Sequence, residues 1–368
     1  MAKGMYIGVD SVARKVKNCY IGVDGVARKV KKAYIGVDGI ARLFWQSNPI
    51  GSICYLGIRN GNLCVVVSDG YESDVNVYTV PNSVINTKNY NTYGIKKIFD
   101  TYYISCRRYN QTTSNELYML YTTKDFVTYK TLGNSPSTVY EYSWVTQVGN
   151  NVVHFSPYSS MYISTDKGET FNPYDSYYYF TKDHCSDGTY LYTRVYSDDS
   201  IYLGFQKIDL VNKTNSVMLS GTNTNTYGAV SCCCADSNMV LFFTAKGYVF
   251  KFTNQGTTSN AAKVSVFSST DYPTNAVCYN NMYYVITSTN KVYSSSDGIN
   301  WTLKLDAYKD STTYRNILVV NNVLHVLVGV SPTDYSVTDD KTYIYHSTNG
   351  STFESCETNE LITSIAPV

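Results

Sequence analysis

The residues of this 368-residue chain able to do chemistry are ten cysteines, four histidines, scattered carboxylates and the arginines. A zinc site needs three or four ligands at short spacings, and a tetrahedral thiolate site starts from a C-x-x-C pair. Here Cys232, Cys233 and Cys234 are consecutive, so on a strand they alternate between faces, and no C-x-x-C pair exists. Cys19, Cys54, Cys64, Cys106, Cys185, Cys278 and Cys356 lie singly among apolar runs. The opening MAKGMYIGVDS has no apolar segment of signal-peptide type. Reduced thiols acting as small buried hydrophobes are therefore expected, with no metal. His154, His184, His325 and His346 lie in or beside strand-like segments without a nucleophile motif and read as core or rim residues. Glycoside hydrolysis would need two carboxylates facing across a pocket. The doublets Asp198–Asp199 and Asp339–Asp340 read instead as solvated loop charges. No glycine loop suited to phosphate is present. The sequence predicts no catalytic residues and no cofactor.

The elements that would position any site are β-strands. Thirty-eight tyrosines, with abundant Ser, Thr and Asn, favour pleated, half-buried surfaces. No stretch approaches 18 apolar residues, so no membrane-spanning helix is expected. From residue 47 one pattern recurs roughly every 43 residues: an apolar strand, a tight polar turn, a second apolar strand. Its turns fall near Gly61, Asp100, Asn151, Asp187, Ser237, Asn281 and Asn322. A second hairpin follows in each unit. Four strands at this period predict propeller blades. Residues 47–368 are expected to form a seven-bladed β-propeller, six or eight blades being compatible alternatives. The C-terminal LITSIAPV is placed to pair with the first blade and close the ring.

The second hairpins carry a phrase at their turns: STDKGETF (164–171), SSDGINW (295–301), STNGSTF (347–353), and the weaker TKDFVTY (123–129) and FTNQGTT (252–258). These resemble Asp-box repeats, S-x-D-(x)-G-x-T-W/F, of sialidase-like and other β-propellers, with Asp125, Asp166, Asp297 and Asn349 at the acidic position. A sialidase would further require an arginine cluster, a Tyr–Glu pair and an acidic general acid. Beyond residue 42 only Arg59, Arg107, Arg108, Arg194 and Arg315 occur, none in an R-I-P motif. The turn phrase itself carries structure and no chemistry.

A tyrosine precedes the first strand in six of the seven units: Tyr93, Tyr142, Tyr179, Tyr227, Tyr272 and Tyr314. Connections into the innermost strands lie on one face of a propeller, so these side chains, with Tyr140, Trp144, Tyr177, Tyr178 and Phe180, are candidates for a ring that binds sugars or other polar polymers. The competing expectation is that they pack blade against blade.

Residues 1–46 form a different repeat, three near-copies of Y-I-G-V-D-G-V-A-R-K-V at a 14-residue period, with Asp10-Ser11 in the first and an LFWQ ending in the third. Asp-Gly between β-rich arms predicts a two-residue hairpin in which Val23 faces Val26 and Ile21 faces Arg28. Three such hairpins make a short ladder. Residues 1–42 carry a net charge of +6 against +1 for the whole chain. Phosphate neutralisation needs only such Lys and Arg, yet no stacking platform accompanies them, and nucleic acid is not the expected partner. The opening MAKGMYIGV and the repeated AYIGVDGVARKVKK resemble N-terminal segments of virion proteins from phages and prophages of low-GC Gram-positive bacteria. The resemblance covers about 45 residues. It implies an anchor to other virion proteins, with Tyr6, Tyr20, Tyr34, Arg14, Arg28, Arg42, Phe44 and Trp45 at the attachment surface and several copies per particle. The propeller would then be displayed towards a host-surface glycan from a tail or baseplate location, after assembly in the bacterial cytoplasm. The alternatives are an architectural baseplate, collar or head-decoration subunit, and a propeller glycosidase.

Overall fold

The computed structural model describes residues 50–368 apart from 60–61, 72–73, 85–93, 111–114, 136–143, 157–159, 175–183, 197–201, 254–261, 309–311 and 331–339. Before residue 50 it describes the backbone of six strands between Tyr6 and Gln46. The chain divides into two units, Met1–Gly51 and Ser52–Val368.

In the first unit the strands pair as three separate two-stranded sheets. Val9 faces Val12, Val23 faces Val26, and Val37 faces Ile40; Ile7, Ile21 and Ile35 face Arg14, Arg28 and Arg42. This is the register that a two-residue connection dictates. Tyr6 and Tyr20 face Lys15 and Lys29. The third copy departs from the pattern: Tyr34 faces Leu43 and Ala33 faces Trp45, so Phe44 falls at a bulge.

The second unit is a seven-bladed β-propeller of four-stranded antiparallel sheets. Blades two to seven occupy residues 94–135, 144–174, 184–223, 230–263, 273–306 and 312–358 in sequence order, innermost strand first. Blade one is composite. Its inner strand is the C-terminal Ile365–Pro367, paired to Ser52–Arg59 with Ile365 facing Tyr55 and Ala366 facing Cys54. The hairpin around residue 61 is therefore the second and third strands of its blade, not the first and second. That offset explains why the first unit lacks an entrance tyrosine: its innermost strand lies at the other end of the chain.

Side chains alternate between the two faces of each blade, and the core accordingly sits between blades. Leu241 and Phe243 pack between blades five and six, while Val240 and Phe242 pack between four and five. Between blades one and two, Cys54, Leu56, Val65 and Val80 meet Tyr102, Ile104, Tyr121 and Phe126.

Four turns between third and fourth strands share one hydrogen-bond scheme. In blade six the Ser295 hydroxyl accepts the Gly298 N–H at 2.9 Å and donates to Asp297 Oδ1 at 2.9 Å, and that oxygen accepts the N–H groups of Ile299 and Asn300. Ser164 with Asp166, Ser347 with Asn349 and Thr123 with Asp125 repeat the scheme. Burial opposes ionisation of Asp297, but these donors outweigh it and hold the carboxyl far below its ordinary range. Phe126 stands at the left-handed position that glycine holds elsewhere (φ 60°), and its ring packs against Tyr78 and Tyr102 at 5.6 and 4.3 Å. Of FTNQGTT, residues 254–258 lie outside the described residues.

Gly350 illustrates why glycine is required. Its φ is +71°, and a Cβ there would sit 1.9 Å from the Tyr284 hydroxyl of blade six. Gly188, with φ +90°, has nothing within 4 Å of such a Cβ. Gly188→Ala should therefore cost only the left-handed backbone penalty, about 1–2 kcal/mol. Gly350→Ala should add overpacking of about 1–3 kcal/mol. Urea unfolding of the two variants will show G350A as the weaker; equal midpoints would contradict the contact.

Candidate functional site

The three described entrance tyrosines divide by environment. Tyr227 ends a single helical turn, Thr224–Tyr227, and its ring stands edge-on to Tyr248 and Phe250 at 5.3 and 5.4 Å. It packs in the core between blades four and five. Tyr272 and Tyr314 stand at neighbouring entrances, those of blades six and seven, and both are half-buried. Tyr93, Tyr140, Tyr142, Tyr177, Tyr178, Tyr179 and Phe180 lie outside the described residues, as does the side chain of Trp144.

The backbone fixes Tyr272. Its N–H donates to Ser288 Oγ at 3.2 Å, and its carbonyl accepts the Ser288 N–H at 2.8 Å. Tyr314 follows a register shift at the start of the blade-seven inner strand. It alternates with Arg315 along that strand and so faces the other side of the blade, where burial pushes its phenol well above its ordinary range.

Residues not singled out by the sequence reading complete this corner. Arg315 donates Nε–H to Asn290 Oδ1 at 2.8 Å and lies within electrostatic reach of Tyr272. Asn290 is 2% exposed with φ +65°, and its amide donates to the Tyr308 carbonyl and the Thr312 hydroxyl, both at 2.7 Å. It is a fully satisfied bracket that aims the guanidinium. No carboxylate among the described residues pairs with Arg315. The nearby Asp271 is engaged instead by Lys291 Nζ at 2.9 Å and the Thr289 hydroxyl at 2.7 Å. Burial lowers the Arg315 pKa, which leaves a guanidinium partly stripped of water and still charged. Asn275 donates to Asn316 Oδ1, and Asn316 donates to the Thr363 carbonyl at 3.0 Å, tying the inner ends of blades six and seven to the closing segment. A phenol and a guanidinium on an asparagine frame can hold polar or anionic groups.

His154, His325 and His346 are buried, as core histidines should be. Asp340 is buried at 3% exposure, so it is not the solvated loop charge that its doublet suggested. Asp198, Asp199 and Asp339 lie outside the described residues. The thiol of Cys185 hydrogen-bonds Cys233, and that of Cys234 bonds Cys278, a row crossing the inner strands of blades four, five and six. Burial pushes Cys185 well up, and the Cys278 contact, then burial, does so for Cys234, keeping both thiols protonated. Among the described residues no group of three or more His, Cys, Asp or Glu is arranged to hold a metal ion, and no helix is long and apolar enough to cross a membrane.

No family model matches the sequence, and no curated protein matches it. Among solved structures the chain is similar to YCF48 bound to a D1 peptide, at 11% identity over 78% of this chain and 91% of that one, with a TM-score of 0.52. It also matches BamB from Moraxella catarrhalis (9% identity, 83% and 84% covered, TM-score 0.42) and apo AztD from Citrobacter koseri (9%, 86% and 97%, TM-score 0.44). At 11% identity the likeness to YCF48 is one of fold.

Proposed function

We propose that this chain is a structural protein of a bacteriophage particle whose propeller recognises a glycan on the bacterial surface, and that residues 1–46 attach it to other virion proteins. The observation that carries the recognition reading is the placement of the Arg315 guanidinium beside Tyr272 where blades six and seven meet. It offers an aromatic hydroxyl and a guanidinium without a described carboxylate partner, the guanidinium held by the buried Asn290. Such groups bind polar polymers at low entropic cost. The attachment reading is supported by three hairpins that share their register next to the turn, in a unit of their own. Neither role calls for a catalytic residue.

The test uses the labelled full chain on host cells. It should bind them and compete with phage adsorption, and the variant Tyr272→Ala/Arg315→Gln should bind about tenfold or more weakly, as expected when two polar anchors are lost. A full chain that neither binds cells nor competes would leave an architectural subunit without a receptor.

A further inference from the structure

On the face opposite those entrances, a cavity of about 310 Å³ opens between blades two and three. It is lined by Thr101, Thr122, Thr123, Thr128, Leu132 and Lys130 together with the turn residues Lys124, Asp125, Gly168 and Glu169. Its size is that of a small-molecule site, at the lower end of the range.

Three donors stand in a row across blade two on the side that faces blade three. Tyr103 is opposite Thr122, and Thr122 is opposite Lys130 in the next strand. None has a side-chain hydrogen-bond or ionic partner among the described residues. The Tyr103 hydroxyl is buried without a partner and ends against Gly168 at the cavity wall. Burial, then Glu169, Asp100 and Asp166, push its phenol up to about 12, so it keeps its proton. Of the three, only the Tyr103 hydroxyl is buried without a partner; Thr122 and the exposed Lys130 line the cavity itself and are open to an incoming acceptor.

The other polar groups are already committed. Lys124 bridges Glu169 at 2.7 Å and Asp100 at 3.2 Å. Asp125 accepts its own turn, and the Thr123 hydroxyl serves that turn as well. Two ammonium groups balance two carboxylates around the cavity, so a polyanion gains nothing there. Threonine methyls and Leu132 supply the apolar surface that C–H groups of a sugar ring cover.

We propose that this cavity is a carbohydrate subsite that seats one neutral pyranose residue, with Thr122 and Lys130 donating to its oxygens. This deepens the glycan-recognition reading and rests on it for the source of the ligand.

The test titrates the full chain with methyl glycosides of glucose, galactose, mannose and N-acetylglucosamine, read by calorimetry and ligand-observed NMR. At least one should bind, and Thr122→Val/Lys130→Met should weaken it about tenfold or more with an unchanged melting temperature. Thr128→Trp at the exposed rim, which fills the cavity from outside, should also abolish binding. No binding of any glycoside, or equal binding by all variants, would overturn the proposal. Host-cell binding by the full chain that survives T122V/K130M would reject the subsite and spare the recognition reading. Glycoside binding at the cavity without cell binding would do the reverse.

Discussion

A chain truncated after Asn359 should fail to give a soluble, cooperatively folded propeller, whereas one lacking residues 1–46 should melt like the full chain. The last nine residues do more than cover an edge. Leu361, Ile362, Ile365 and Ala366 are all buried, and the three large side chains alone correspond to about 5–8 kcal/mol of burial. That is comparable to the entire stability of an ordinary domain, about 5–15 kcal/mol. The segment also ties three blades together. The Thr342 hydroxyl of blade seven donates to the Glu360 carbonyl at 2.6 Å and accepts the Ile362 N–H at 2.8 Å, and Ser364 Oγ accepts the Ile95 N–H of blade two at 2.7 Å. Without it, the strand Ser52–Arg59 becomes an open edge carrying the otherwise fully buried Ile53 and Cys54, a template for aggregation. Soluble yield, circular dichroism and a thermal melt decide the matter. A monomeric truncated protein with a full melting transition would show that the ring holds without its closing strand.

The reading of the fold from sequence succeeded where a physical rule acts locally. Alternation in runs such as Val240–Phe243 reports strands buried on both faces, because successive side chains enter different inter-blade clusters. The turn phrase is equally local: Ser295, Asp297 and Gly298 satisfy one another within four residues. Even the degraded copy at Thr123–Tyr129 keeps its hydrogen bonds, because Phe126 accepts the left-handed conformation and fills the gap with its ring. The strand order of blade one was harder to place, since periodicity finds hairpins without saying which pair of strands each one is. The site was only partly legible. Tyrosine spacing marked blade entrances but could not separate Tyr227 and Tyr314, with its buried phenol, from Tyr272, which stands beside Arg315. Arg315 stayed hidden because its bracket, Asn290, lies in another hairpin 25 residues away.

Acidification from pH 7 to pH 4 should destabilise the propeller steeply, through His154 and His325. Both are buried, both have an Nε2 without a partner, and neither shows an ion pair with a carboxylate. Burial lowers His154 to about 4; burial, and then the neighbouring His346, lower His325 to about 3. The unfolded chain protonates these groups near pH 6.5, while the folded chain excludes the proton until well below that. Their contribution is therefore intact above pH 6.5 and is lost as the pH falls, at about 1.4 kcal/mol per pH unit for each group. By pH 4 each has cost about 3 kcal/mol, and together they rival the net stability of a domain. The turn carboxylates act in a lower window. Asp166, held down by hydrogen bonds from Ser164 and Thr170, and Asp297 stabilise the fold above pH 4 and lose that effect only below it. The two windows separate in a plot of melting temperature against pH. His154→Phe places a third ring beside Tyr162 and Phe171, which lie 5.8 and 6.2 Å from the imidazole. It should flatten the slope between pH 6.5 and 4 by about half and leave the fall below pH 4 in place. A wild-type melting temperature that holds from pH 7 to 4.5 would mean that the imidazoles find protonated partners in the folded state, and the burial argument would fail.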